Sequence, residues 1–191
     1  EDITHVKGKE LDRIRDKMQI VFQDPYSSLN PRIRIESTIK EPLKHSGRFH
    51  GKNEIQEEAN RLMELVGIDE RLRQSYPHEL DGGRRQRVGI ARALALNPDF
   101  IVCDEPVSAL DVSIQAQVLN LLMDLQEKMG VAYMFVTHDL SVVRHISDHI
   151  CVMYLGQLVE KAPTEELFLH TLHPYTKALL SAIPSTDIFH P

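Results

Sequence analysis

No run of the form G-x-x-x-x-G-K-[ST] occurs anywhere in the 191 residues, so the glycine-rich loop that wraps nucleotide phosphates in backbone amides is missing from this sequence. Nothing approaches the roughly 20 consecutive apolar residues needed to cross a bilayer, and the first residues carry no signal-peptide pattern. Any membrane association is therefore expected to come through partner subunits. A broad basic field is lacking too: 22 Lys and Arg against 28 Asp and Glu leave a net charge of -6, which argues against generic nucleic-acid binding. Cysteine is limited to Cys103 and Cys151, each inside an apolar, strand-like run. Both are expected to be reduced, buried thiols, with no disulfide or metal site. Internal repeats, low-complexity segments and flexible linkers are also missing.

What is present can fold. At 42% hydrophobic, the chain can bury the core of one domain with an inserted subdomain. Met18 to Phe22 is a run of strand length that stops at Gln23-Asp24-Pro25, delivering Gln23 to a loop. From Tyr26 to about Gly51 the pattern weakens, punctuated by Pro31, Pro42 and Gly47. Ile55, Ala59, Leu62, Leu65 and Val66 then trace one face of a helix that Gly67 can close. Residues 31–93 read as a helical insertion. It ends in a helix that begins near Gly83, turns Val88, Ala91, Leu94 and Ala95 inward, and stops at Asn97-Pro98. A strand at Phe100–Asp104, a long helix capped by Asp111 and closed at Gly130, and a strand at Ala132–Val136 make a parallel crossover unit. A helix from about Leu140, strands at Ile150–Tyr154 and Gln157–Glu160 joined through Gly156, and short helices after Pro163-Thr164 and at Pro174 complete the expectation.

Two adjacent carboxylates, Asp104 and Glu105, close the apolar strand that begins at Phe100. Phosphoryl transfer to water needs a metal on the phosphates and a group that orients or deprotonates the water, and these two acids can supply both. Read alone, the pair is equally two surface acids after a core strand. Gly82-Gly83 at a helix start allows close backbone approach and points unpaired amides at an anion, although such a pair is often only a turn. His138 could donate to a terminal phosphate or be structural. Gln23 could bridge magnesium and the attacking water, or be an ordinary loop amide. None is strong singly, whereas their order and spacing are strong together.

On those residues the chain resembles the ATP-binding subunit of an ABC importer. Gln23 resembles the Q-loop, Leu80-Asp81-Gly82-Gly83-Arg84-Arg85-Gln86 the family signature, and Phe100 to Asp104 the Walker B strand. Glu105 resembles the catalytic carboxylate, Ser108-Ala109-Leu110-Asp111 the D-loop, and His138 the switch histidine. Two further stretches are similar to the dipeptide and oligopeptide branch: Phe22-Gln-Asp-Pro-Tyr-Ser-Ser-Leu-Asn-Pro31 and His173-Pro-Tyr-Thr-Lys-Ala-Leu-Leu-Ser-Ala-Ile-Pro184. Relatives in that branch carry peptides, nickel or oligosaccharides.

The resemblance implies an α/β fold: a P-loop NTPase-like ABC ATPase core, mostly parallel sheet with helices, carrying an inserted helical subdomain and incomplete at its N-terminus. Residues 1–30 would be core up to the Q-loop, 31–93 the helical subdomain, 94–160 core again, and 161–191 an extension of the peptide-importer type. ATP and Mg2+ are the implied cofactors. Asp104 and Gln23 would hold the metal, while Glu105, His138 and Gln23 would serve hydrolysis. Leu80, Asp81, Gly82, Gly83, Arg84, Gln86 and Asp111 would meet ATP across a dimer interface.

The implied partners are a second ABC ATPase subunit, identical or not, and transmembrane permease subunits docking near residues 23–50. An extracytoplasmic substrate-binding protein is implied indirectly, and no nucleic acid. The implied location is peripheral, on the cytoplasmic face of the cell membrane. Only 17 residues precede Met18, so the chain reads as a fragment beginning downstream of the phosphate loop. The parent is expected to be a transport-coupled ATPase.

The signature departs from the family pattern, which usually has serine at Asp81 and glutamine at Arg84. A carboxylate near a phosphate is unfavourable, and Arg84, one helical turn on, could neutralise it or take the phosphate itself. A weakened site is the expectation. The competing reading is a non-catalytic ABC-like interaction module that completes a partner's ATP site and docks a permease. An ABC ATPase acting on DNA or ribosomes would be expected to carry coiled-coil, zinc or basic insertions, and none is visible.

Overall fold

The computed structural model describes residues 2–182, which fall into two compact units, one ending at Val136 and the other starting at Thr137. In the first unit the order is α1 (Lys9–Lys17), β1 (Met18–Val21), α2 (Ile35–His45), α3 (Lys52–Leu65), α4 (Gly82–Leu94), β2 (Phe100–Asp104), α5 (Val112–Met129) and β3 (Ala132–Val136). Short 3-10 turns at Glu70–Leu72 and Pro77–Glu79 lead into α4.

The three strands form a parallel sheet ordered β1-β2-β3, with Val21 opposite Cys103 and Asp104 opposite Val136. Parallel pairing requires long crossovers, and helices supply them: α2, α3 and α4 between β1 and β2, and α5 between β2 and β3. All three strands therefore end at the same edge, which brings the segments after Val21 and Asp104 together.

Side chains alternate along each strand. Val21, Ile101 and Cys103 are buried, as are Val88, Ile90 and Leu94 of α4 and Val118, Leu122 and Leu125 of α5. Residues on the other face, Met18, Ile20, Met134 and Val136, remain 40–48% exposed.

Two helices lie where the sequence pattern is weak. The stretch containing Pro31, Pro42 and Gly47 holds α2, with Pro42 inside its final turns. Proline there removes a backbone donor and disfavours a helix by about 3 kcal/mol. Ile35, Ile39 and Leu43, four residues apart, are all fully buried, and each contributes about 1.5–3 kcal/mol on burial. Packing outweighs the proline. The polar α1 buries no side chain, so no apolar stripe marks it in the sequence. Gly67 closes α3 as expected, with φ 68°, and Arg87 Nη1 donates to Val66 O at 2.7 Å, satisfying a carbonyl left over at the end of that helix.

In the second unit α6 (Leu140–Ile146) precedes an antiparallel hairpin of β4 (His149–Tyr154) and β5 (Gln157–Pro163), followed by α7 (Thr164–Leu169) and α8 (Pro174–Ser181). Ile150, Val152 and Leu167 form its core, with Val143, Val159, Tyr175 and Leu179 packed on them. Glu160 accepts from the backbone amides of Leu172 and His173 at 2.8 and 3.2 Å, tying the start of α8 to β5.

The cysteine expectation holds for one thiol only. Cys103 is fully buried, and burial pushes its thiol up to about 12. Cys151 is exposed, because Ile150 and Val152 take the inward positions of β4 and alternation turns the residue between them outward. Both are free thiols. Ile183 and Pro184, the last residues of the peptide-importer-like tail, lie outside the described residues.

Candidate functional site

At the shared edge of the parallel sheet, Gln23 follows β1 and Asp104 ends β2. Gln23 Nε2 donates to Glu105 Oε2 at 2.7 Å and approaches Ser108 Oγ at 3.5 Å. That bond engages the amide nitrogen and not the amide oxygen, the atom a hard cation takes. Asp104 is half-buried at the end of its strand. Among the described residues no cluster of three or more His, Cys, Asp or Glu side chains could hold a metal. One carboxylate with one amide oxygen nevertheless fits Mg2+, which is held by one or two protein oxygens plus phosphates and water.

Glu105 sits at φ 43°, the left-handed region that side chains other than Gly, Asn and Asp rarely occupy. Its amide donates to Val136 O at 2.8 Å, and its carbonyl accepts from Ser108 N and Ser108 Oγ at 3.2 Å. These bonds hold the turn in a conformation unfavourable by roughly 1–2 kcal/mol, and the carboxylate is thereby set against Gln23.

The signature opens α4. Asp81 is its N-cap: Oδ1 accepts from Arg84 N at 2.7 Å, and Arg84 Nε lies 3.4 Å from Asp81 Oδ2. Both side chains are more than half exposed. The glycines are required by packing as well as by any anion. A Cβ on Gly83 would stand 2.4 Å from Ile114 Cγ2, and one on Gly82 would stand 3.0 Å from Leu110 Cδ2. Leu80 and Gln86 are buried, and Gln86 Nε2 donates to Phe22 O at 3.4 Å.

Asp111 occupies the N-cap position of α5 without a side-chain capping bond; its carbonyl accepts from Ile114 N and Gln115 N at 2.9 Å. The expected cap is thus positional only. His138 belongs to the second unit, between Thr137, whose Oγ1 accepts from Asp139 N, and α6, which Asp139 caps through the amides of Ser141 and Val142.

Arg85 and Tyr26 lie inside stretches singled out in the sequence, but nothing there predicts that the two meet. Arg85 is 5% exposed, its guanidinium lies 3.7 Å from the centre of the Tyr26 ring, and its Nε donates to Pro77 O. The only dense basic run of the chain is engaged internally through Arg84, Arg85 and Arg87.

Solved structures share this architecture. Over 86% of this chain and 64% of its own, cbiO1 from Clostridium perfringens, described as part of the ABC transporter complex cbiONQ, superposes with TM-score 0.76 at 26% identity. MJ0796, an ATP-binding cassette described as a dimer bound to ADP and Pi, matches with TM-score 0.73 at 31% identity over 84% of this chain and 68% of its own. The fold is thus that of an ATP-binding cassette.

Residues 1–108 match the model of the ABC transporter family, and the chain belongs to that family. Residues 159–189 match the C-terminal region of oligopeptide/dipeptide transporters. The oligopeptide transport ATP-binding protein OppF of Bacillus subtilis is 54% identical over 94% of this chain. The dipeptide transport ATP-binding protein DppF of Haemophilus influenzae is 56% identical over 89%. The chain spans only 59% and 52% of those two relatives.

Proposed function

We propose that this chain is part of the ATP-hydrolysing, energy-coupling subunit of an ABC importer for dipeptides or oligopeptides. One observation carries the reading: at one edge of a parallel sheet, Gln23 donates to Glu105 directly beside the strand-ending Asp104. The identity to peptide-transport ATP-binding proteins and the C-terminal match at 159–189 support the cargo class.

In this reading Asp104 and the Gln23 amide oxygen would hold Mg2+, which would supply neutralisation of phosphate charge. Glu105 orients and deprotonates the attacking water, and Gln23 fixes its carboxylate. His138 donates to the terminal phosphate. The turn Leu80–Arg84, with Gln86 and Asp111, is presented to the nucleotide of a second ATPase subunit. Residues 23–50 receive a permease subunit, and an extracytoplasmic substrate-binding protein acts through that permease. No helix among the described residues is long and apolar enough to cross a membrane. Peripheral attachment at the cytoplasmic face follows from docking.

Glu105→Gln in the full-length subunit is the test. It removes the base while keeping Asp104, so turnover should fall by about a hundredfold or more while ATP-dependent pairing of subunits persists. Near-normal turnover would remove Glu105 from its role.

A further inference from the structure

Between β1 and α2 the chain forms a short, braced loop. Asp24 Oδ1 accepts from Tyr26 N at 2.8 Å and Asp24 O from Ser28 N at 3.1 Å, so the segment 24–28 is a self-bonded turn. One end is fixed by Gln23 to Glu105. Along its length three side chains of α4 reach it: Gln86 to Phe22 O, Arg85 onto the Tyr26 ring, and Arg92 Nη1 to Ser28 O at 2.7 Å. Arg85 and Arg92 are seven residues apart, two helical turns on one face. Nε of the same guanidinium donates to Pro77 O, in the 3-10 turn that runs directly into Leu80 and Asp81.

Arg85 thus touches both the loop bonded to Glu105 and the turn ahead of the signature. Lysine could not do this. A planar guanidinium stacks and donates from its edge at once, whereas an ammonium is a point charge. Tyr26 is 63% exposed although its ring packs on Arg85, leaving much of its surface open to whatever approaches the loop.

We propose that Tyr26 and Arg85 form a positioning clamp that ties the position of the 22–28 loop to that of the signature turn 80–84. Displacement of the loop by a docked subunit would then move the signature relative to a nucleotide. Arg85 is a positioning residue and touches no reacting atom. The regulatory half of this inference rests on the proposed function; the mechanical half does not.

The experiment compares Tyr26→Ala, Tyr26→Phe and Arg85→Lys in the full-length subunit, assembled with its permease in proteoliposomes with cargo-loaded binding protein. Tyr26→Ala and Arg85→Lys should lower the cargo-stimulated kcat by about tenfold with KM for ATP changed by less than about twofold, and Tyr26→Phe, which keeps the ring, should retain it. Stimulated kcat retained in both disruptive variants overturns the clamp, as does an equal loss in Tyr26→Phe.

Amide hydrogen exchange on the same subunits provides an independent reading. Amides 82–86 should exchange about threefold or more faster in Tyr26→Ala, while those of 118–125 in α5 stay unchanged. Unchanged exchange at 82–86, or an equal rise at 118–125, which would make Tyr26 a general structural support, overturns the clamp. A wild-type assembly with no cargo-stimulated hydrolysis would instead remove the proposed function, and exchange would still decide the clamp.

Discussion

Asp81 does at the start of α4 what a serine does, because aspartate and serine are comparable N-caps, and its carboxylate accepts the amide of Arg84. The helix therefore loses nothing by the replacement; what would change, in the proposed role, is the charge shown to a phosphate. Arg84, 3.4 Å away, offsets part of that charge, but with both side chains more than half exposed the pair is weak. A residual repulsion of about 1 kcal/mol corresponds to about fivefold in rate. Asp81→Ser combined with Arg84→Gln should accordingly raise ATP hydrolysis of the assembled transporter about fivefold, and steady-state turnover unchanged by the double substitution would sink the idea of a weakened site. Gln23, Asp104, Glu105 and the signature could be singled out as candidates because each stands in a local motif. The contact between Tyr26 and Arg85 could not be read, since nothing in either neighbourhood records a contact across the fold, and Cys151 was misread because an apolar run does not say which face of its strand is covered.

Helix α2 shows how an element can be hidden by its own punctuation and then be held by charge as well as by apolar packing. Glu36, in its first turn and 8% exposed, accepts from Arg73 at 2.6 Å, Lys40 at 2.9 Å, Gln56 at 2.6 Å and Gln74 at 2.7 Å. These residues join α2 to α3 and to the chain entering the Pro77 turn. Burial pushes the Glu36 carboxyl up, but the bonds from Arg73, Lys40 and Gln56 outweigh it and hold the group down to about 2. Since its folded value lies below the ordinary carboxylate range of roughly 4.3, the network stabilises fully above that range and is lost as pH falls from there towards 2. Glu36→Gln should therefore destabilise the protein by about 2–3 kcal/mol at pH 7, with the difference shrinking below pH 4. Melting curves of both proteins from pH 7 to pH 2 check this; a gap that stays constant to pH 2 would show that the carboxylate charge is not what holds the helix. Helices α3, α4 and α5 were legible from their apolar stripes. The region of α2 was read as part of a helical insertion, but its own bounds were not, because Pro31, Pro42 and Gly47 interrupt the pattern there.

At the scale of the whole molecule, the order of motifs along the chain was readable because parallel crossovers bring successive strand ends to one edge, so sequence order translates directly into a site. The division of the fold into two units at Val136 was not readable, since β3 runs into Thr137-His138-Asp139 without a glycine, a proline or a change of composition. Whether the 191 residues hold nucleotide by themselves is measurable by equilibrium binding of Mg-ATP to the purified chain, with Asp104→Ala as control. No binding at millimolar concentration is expected without a backbone phosphate cradle, since one carboxylate and one amide give a metal-bound nucleotide few anchors. Tight, Asp104-dependent binding would mean that other groups here grip phosphate.

Glu105 gives the molecule one further property. A side chain is kept where the backbone favours glycine, and the bonds to Val136 and Ser108 retain it there. The fold therefore stands below the stability its own topology permits, by roughly 1–2 kcal/mol, and that shortfall is the standing cost of presenting this carboxylate at the sheet edge.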